Sequence, residues 1–439
     1  MKSKTAKILS ILMVITLLAA CGAQPGARQD PAPASGGGAQ ANETSVVTAE
    51  PASGEIVTIE MWHNLDEALG MIAALNTLIS QFEQENPEIR VEHLFLEWSA
   101  LRDNIVTGAA TGMLPDILRG DIAFVPQFQS LDVLVEMSAF PDYAETADKL
   151  LSAPNSTAKM GDKFFGITAG ANTKILFYNK ELLAEAQIDV PTTLDELWEA
   201  STKLSGGGKY GFVEAWTGVW NIGQYIWSNG GDVMAPDYST AQGYINGPIA
   251  VETIEKLAEL YQANILAGPS MDPGAVGDTD GLAAGIYAMV IDGPWRESIS
   301  EAAGLNMGAA GLPRGKTGSV GVLGGENFMM FKTSDDAHQK AAWEFIKFMS
   351  GKDAQVAMAK VGSMPVNKEA IADPQAIEAM PLLPVFVEAL QSARSRPVHP
   401  RWSEMEDIIA TKVAEAIMGQ KPVQQALDEA ASEIDSLVG

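Results

Sequence analysis

The nine tryptophans of this 439-residue chain fall into two kinds. Trp198 and Trp343 recur among apolar neighbours at helical spacing, which predicts core packing. Trp62, Trp98, Trp216, Trp220, Trp227, Trp295 and Trp402 instead border polar or glycine-rich stretches or strand ends. Most of these have hydrogen-bonding neighbours. His63-Asn64 follows Trp62, Glu97 precedes Trp98, and Asn221 follows Trp220, while Asp292 stands just before Trp295 and Arg401 beside Trp402. An indole face packs against the C–H face of a pyranose, and adjacent carboxylates, amides and guanidinium groups bond its hydroxyls. The chemistry on offer is therefore the holding of a sugar. Trp216 and Trp220 flank Gly218, which reads as a loop, and one of the two is expected to reach the ligand. Glu326 and Asn327 follow Gly324-Gly325, where a glycine lets backbone and ligand approach closely.

Other chemistries find less support. Gly-x-Ser-x-Gly, His-Glu-x-x-His and P-loop patterns are missing, and no acid–nucleophile carboxylate pair can be singled out. The four histidines (His63, His93, His338, His399) never fall at ligand spacing, so neither a metal nor any other cofactor is expected. A formal net charge of −27 repels phosphate backbones and argues against nucleic acid as a partner.

The elements that must position these residues alternate between strand and helix. Val57, Ile59 and Met61 alternate as a strand; Met71 to Phe82 follow helical spacing and Asn86-Pro87 stops the helix. Ile89 and Val91 open a second strand, and residues 114–118 read as a third, a βαβ order that predicts a mostly parallel sheet. A second block begins near Gly166, with a strand over Thr173–Tyr178 and a short helix over Lys180–Ala186. Further on come a Thr193–Glu196 capping box, a helix over Ile249–Ala263 and a buried strand over Tyr287–Ile291. Helices are also predicted over Ala337–Met349 and around Leu427, Ala430, Ile434 and Leu437. Apolar content of 46% with 19% charged residues fits a globular protein, and the length fits two domains.

The N-terminus reads differently. Lys2, Lys4 and Lys7 precede an apolar run from Ile8 to Ala20, and Cys21 is the only cysteine, which rules out an internal disulfide. Leu18-Ala19-Ala20-Cys21 resembles the lipobox of a bacterial lipoprotein, in which the thiol is lipidated and becomes the new N-terminus. Residues 1–20 are thus expected to be a signal peptide. Residues 21–54, rich in Gly, Ala-Pro steps, Gln and Ser, are expected to be the lipidated cysteine and a flexible spacer.

Several segments, in order, resemble the extracellular solute-binding proteins of ABC importers, specifically the maltose-binding-like class. They are Ala110–Ile117, Leu176–Leu182 with Pro191–Leu197, Gly285–Trp295 with its Asp-Gly-Pro-Trp turn, Gly324-Gly325, Gly362–Asn367 and Gly419–Ala426. Val398–Ser403 is similar to the family's C-terminal approach to the cleft. The resemblance implies an α/β fold of two hinged lobes with a ligand cleft between them, the type II periplasmic-binding-protein fold. It further implies an N-terminal lobe from 55–165 with 309–332 and a C-terminal lobe from 166–308 with 333–439. Asp121 joins the expected contacts on the same ground. By this resemblance the protein is a monomer without catalytic activity, anchored to the cell membrane, that delivers a di- or oligosaccharide to permease subunits. Polyol phosphates, polyamines, ferric iron and peptides are ligands of relatives. Iron lacks the adjacent tyrosine pair it would want, whereas Arg296, Arg394, Arg396 and Arg401 leave a phosphate ester open.

Overall fold

The computed structural model describes residues 56–214, 216–268 and 281–438. The signal peptide, spacer and Cys21 lie outside the described residues.

Two mixed sheets form the frame. The first holds β1 (Val57–His63), β2 (Ile89–Phe95), β3 (Ile117–Asp121), β4 (Ile167–Asn172), β10 (Val322–Met330) and β11 (Arg394–Ser395). The second holds β5 (Ile175–Asn179), β6 (Tyr210–Val213), β7 (Leu266–Ala267), β8 (Tyr287–Asp292) and β9 (Met307–Ala310). β1 runs parallel to β2 and β3, as the βαβ pattern requires, with Ile59 opposite Val91 and Met61 opposite Ile117. β10, however, is antiparallel to both β3 and β4. β5 is likewise antiparallel to β8 and β9. The expectation of mostly parallel sheets therefore fails at these strands. Each of β5 and β10 arrives from the other sheet, so no local crossover helix sets its direction.

Helices follow from local signals. α1 (Met71–Glu85) buries Leu75, Leu78, Ile79 and Phe82 on one face and ends at Asn86. α2 spans Trp98–Thr111 and ends on Gly112, whose φ of 75° is the left-handed cap that glycine supplies. α3 (Leu194–Leu204) opens on the predicted capping box: Thr193 Oγ1 accepts from the Glu196 N–H, and Glu196 accepts from the Thr193 N–H. α4 (Val219–Ser228), α5 (Pro248–Gln262) and α6 (Trp295–Ala302) complete the middle of the chain. α7 (Asp336–Ser350), α8 (Leu383–Leu390), α9 (Trp402–Ile417) and α10 (Val423–Val438) follow.

The chain passes between the sheets at Thr173-Lys174 and again through residues 311–321. These limits correct the expected ones near Gly166 and Gly308, because β4 still pairs with β10 and β9 still pairs with β5. The expected departure near Lys332 is also overturned. α7 stays on the first sheet: Phe345 meets Phe82 of α1 at 5.1 Å between ring centroids, and Trp343 stacks on Phe140 at 5.1 Å. Trp343 is the core residue predicted, and its Nε1–H donates to Asp142 at 2.7 Å. An amphipathic helix fits either sheet equally well by pattern, and only this aromatic cluster selects one. α8 touches the second sheet, where Phe386 meets Phe177 of β5 at 6.2 Å, and β11 still pairs with β10; after β11 the chain makes its last passage, and α9 and α10 pack in the second core.

Alternate residues of the second sheet bury in opposite directions. Leu176, Phe212 and Met289 enter one core while Phe177, Val213 and Val290 enter the other. A sheet covered on both faces is a rigid support for residues at its strand ends.

Candidate functional site

The carboxyl ends of β3, β4 and β8 open into one cavity of about 870 Å3 between the sheets, roofed by α2 and α9. Eight of the thirteen predicted contacts line it: Trp98, Asp121, Trp216, Trp220, Asn221, Asp292, Trp295 and Glu326. Both Trp216 and Trp220 are present, although only one was expected.

The indoles are placed by backbone. Trp295 opens α6 directly after β8, and its ring folds back over Gly293, where a Cβ would collide with it. Trp220, in the first turn of α4, leans on β10: a Cβ at Gly324 would lie 2.5 Å from its Cζ3 atom. Gly325, at φ 126°, lies against the Gly170 carbonyl of β4. The two glycines thus admit the protein's own neighbours, which is the close approach that these positions require. The Trp220 and Trp295 rings stand 6.4 Å apart, tilted by 38°, and form a corner. Trp98 and Trp216 remain 39% and 44% exposed, and Arg102 lies over the Trp98 ring at 5.8 Å.

The polar groups are tied to one another. Asp121 accepts from Arg396 at 2.6 Å, and Arg396 also reaches Glu406 at 3.4 Å. Glu326 accepts from Arg119 at 2.8 Å, and Arg119 is held in turn by Asn64 Oδ1 at 3.1 Å. Asp292 accepts from Arg296 through Nε and Nη2 at 3.0 and 2.8 Å. Asp407 faces Arg102 at 3.5 Å. Burial raises the pKa of Glu326 and Glu406, with Arg119 and Arg396 opposing it. Against the pull of burial, Asp121 and Glu406 hold the guanidinium of Arg396 firmly protonated. Every lining carboxylate thus already faces an arginine.

The other five predicted contacts fall elsewhere, as do Asn327 and Trp227. Trp402 is 1% exposed and packs with Met405, Ile409 and Val413 in the second core, because the start of α9 turns that face inward. Arg401, one residue earlier, points to the surface and pairs with Glu404 at 2.7 Å. Trp62 lies against the small core under α2, its Nε1–H donating to Glu60 at 2.9 Å. Glu97 is exposed at the start of α2, and Asn64 sits behind Arg119. Asn327 turns away from the cavity and donates to Thr157 at 3.1 Å, since strand residues alternate and Glu326 takes the cavity side. Trp227 is core, its Nε1–H donating to Asp232 at 3.1 Å.

Sequence reasoning missed Arg119, Lys174, Glu214 and Glu406, and it read Arg396 only as a possible phosphate contact. A signal existed for two of them: Lys174 and Glu214 flank apolar strands at positions where a charge is uncommon. The arginine cluster that a phosphate would want does not form. Arg394 pairs with Asp232 at 2.6 Å, and Arg296, Arg396 and Arg401 are paired as described. Among the described residues no group of three or more His, Cys, Asp or Glu could hold a metal ion, and no helix is long and apolar enough to cross a membrane.

Residues 77–385 match the family model described as bacterial extracellular solute-binding protein. A galactooligosaccharide-binding protein of Bacillus subtilis is 22% identical over 400 residues, covering 89% of this chain and 90% of that protein. A maltotriose-binding protein of Pyrococcus abyssi is 26% identical over 372 residues, covering 80% of this chain and 75% of that protein. Among solved structures, the GacH receptor of Streptomyces glaucescens, crystallised unliganded and with acarbose, superposes with a TM-score of 0.79 at 22% identity. It covers 88% of this chain and 99% of that chain.

Proposed function

Since the chain belongs to the bacterial extracellular solute-binding family, we propose that it captures a neutral oligosaccharide in the cavity and hands it to the permease of an ABC importer. One observation carries this reading: four indoles surround a cavity whose carboxylates are all matched by arginines. Indole rings beside carboxylates that are already paired suit a ligand that is hydroxyl-rich and uncharged. The volume of about 870 Å3 lies at the large end of small-molecule sites and has room for more than one sugar ring. Relatives named for galactooligosaccharide and maltotriose binding support the same substrate class.

The pairing also speaks against hydrolysis. A glycosidase needs one protonated and one free carboxylate flanking the bond, and here Asp121, Asp292, Glu326 and Glu406 are each held by a guanidinium. The role is binding, with closure of the two lobes about the connecting segments favoured by contacts made only when ligand is held. Cys21 would tether the exported protein by a lipid.

Titration calorimetry against maltotriose, galactooligosaccharides and phosphorylated polyols, followed by mass analysis of the recovered sugar, tests the reading. Binding of a neutral oligosaccharide and its recovery intact are expected. Cleavage products, or binding confined to phosphate esters, would refute it.

A further inference from the structure

Lys174 stands in the first passage between the sheets and lines the cavity, yet its side chain is only 2% exposed. Its Nζ lies 5.1 Å from the centroid of the Trp220 ring. Among the described residues it makes no hydrogen bond and no ion pair, only this contact with the indole. Burial pulls its pKa down, and the two carboxylates that oppose this, Glu214 and Asp292, are occupied by other donors. Glu214 accepts from Asn221 Nδ2 and, at 2.8 Å, from the Tyr225 hydroxyl. Asp292 accepts from the Gly293 N–H at 2.8 Å and from Arg296. An ammonium carries three N–H donors, and those of Lys174 lie at the cavity wall without a protein acceptor. Glu214 and Asp292 nevertheless lie close enough to supply it with counter-charge. What the ammonium lacks is an acceptor, not a counter-charge.

We propose that Lys174 is a specificity-determining residue of the cleft, donating hydrogen bonds to hydroxyl oxygens of an uncharged sugar ring seated beside Trp220. The inference rests on the sugar reading above and adds the group that selects the ring. A site built around a buried donor discriminates strongly against ligands that leave it unmatched.

The test is calorimetry on the full chain with maltotriose and galactotriose, and with glucose 6-phosphate and glucuronic acid as anionic counterparts. The Lys174→Met variant keeps the length of the side chain and loses the donors. Because it leaves Glu214 without its nearby cation, the pair Glu214→Gln and Glu214→Gln/Lys174→Met provides a second, charge-compensated comparison. Affinity for the neutral trisaccharide bound by wild type is expected to fall at least tenfold in both comparisons, with thermal melts reporting the folded fraction. Equal affinity in either comparison overturns the inference and leaves the sugar reading standing. Tighter binding of an anionic probe by wild type overturns the assignment of an uncharged ring. Wild type that binds neither neutral sugar overturns the sugar reading and this inference together.

Discussion

Truncating the aromatic corner should separate affinity from stability. Trp220 and Trp295 meet at 6.4 Å with a 38° tilt, too close to sandwich a ring between them, so they present one platform. Removing an aromatic anchor from such a platform costs about 2 kcal/mol. At ~1.4 kcal/mol per tenfold, Trp295→Ala should weaken binding roughly thirtyfold. The double variant should lose less than the sum of the singles, because both indoles serve the same sugar face. Trp402→Ala is the contrasting case. At 1% exposure, in the second core, it should cost about 3–5 kcal/mol of stability through a cavity. That corresponds to a fall in melting temperature of roughly 6–20 °C, at ~2–4 °C per kcal/mol for a domain of that size. Its folded fraction should bind as wild type does. Calorimetry at 25 °C beside differential scanning fluorimetry reads both quantities. Wild-type affinity in Trp220→Ala and Trp295→Ala, or a selective affinity loss in Trp402→Ala, would refute this placement of the ligand.

Gly324→Ala should weaken ligand binding by displacing Trp220, whose Cζ3 atom would lie 2.5 Å from the new Cβ; a fluorescence titration that finds full affinity would contradict it. His63 is fully buried, and burial, His93 and Arg119 lower its pKa from 6.5 to about 3. The unfolded chain therefore takes up a proton below pH 6.5 that the folded chain refuses, so stability falls with pH across the window from 6.5 to 3. The loss between pH 7 and pH 4 from this residue is about 3 kcal/mol, and urea titrations of wild type and His63→Gln at both pH values should show the difference shrink in the variant. Cys21→Ser should move the protein from the detergent to the aqueous phase in Triton X-114 separation, and retention in the detergent phase would disprove lipid anchoring.

Local causes were legible in the sequence. The end of α1 at Asn86-Pro87, the capping box of Thr193 and Glu196, and the turn from β8 through Gly293 into Trp295 all appear as predicted, because each is set by residues within a few positions. Trp343 was readable as core from its helical spacing, and Trp98, Trp220 and Trp295 as candidates from their polar and glycine neighbours. Trp402 shares that local signature and yet is core. Its fate depends on which way α9 is rotated against α5 and α10, and its own neighbours do not fix that.

Tertiary structure alone decided the rest. Nothing near Asp336 says which sheet α7 will cover; the aromatic partners Phe82 and Phe140 settle it from distant parts of the chain. The electrostatics of the cavity are equally non-local. Arg119 meets Glu326 across 207 positions, and Asp121 meets Arg396 across 275. In the sequence these are isolated charges, equally suited to solvent, to an anionic ligand or to a partner. Folding brings them together largely buried, where an unpaired charge is costly and a paired one is tolerated. Composition and local spacing therefore determined that this chain builds α/β elements carrying exposed indoles. The packing of the two sheets determined which indoles face the cavity and that each of its carboxylates meets an arginine.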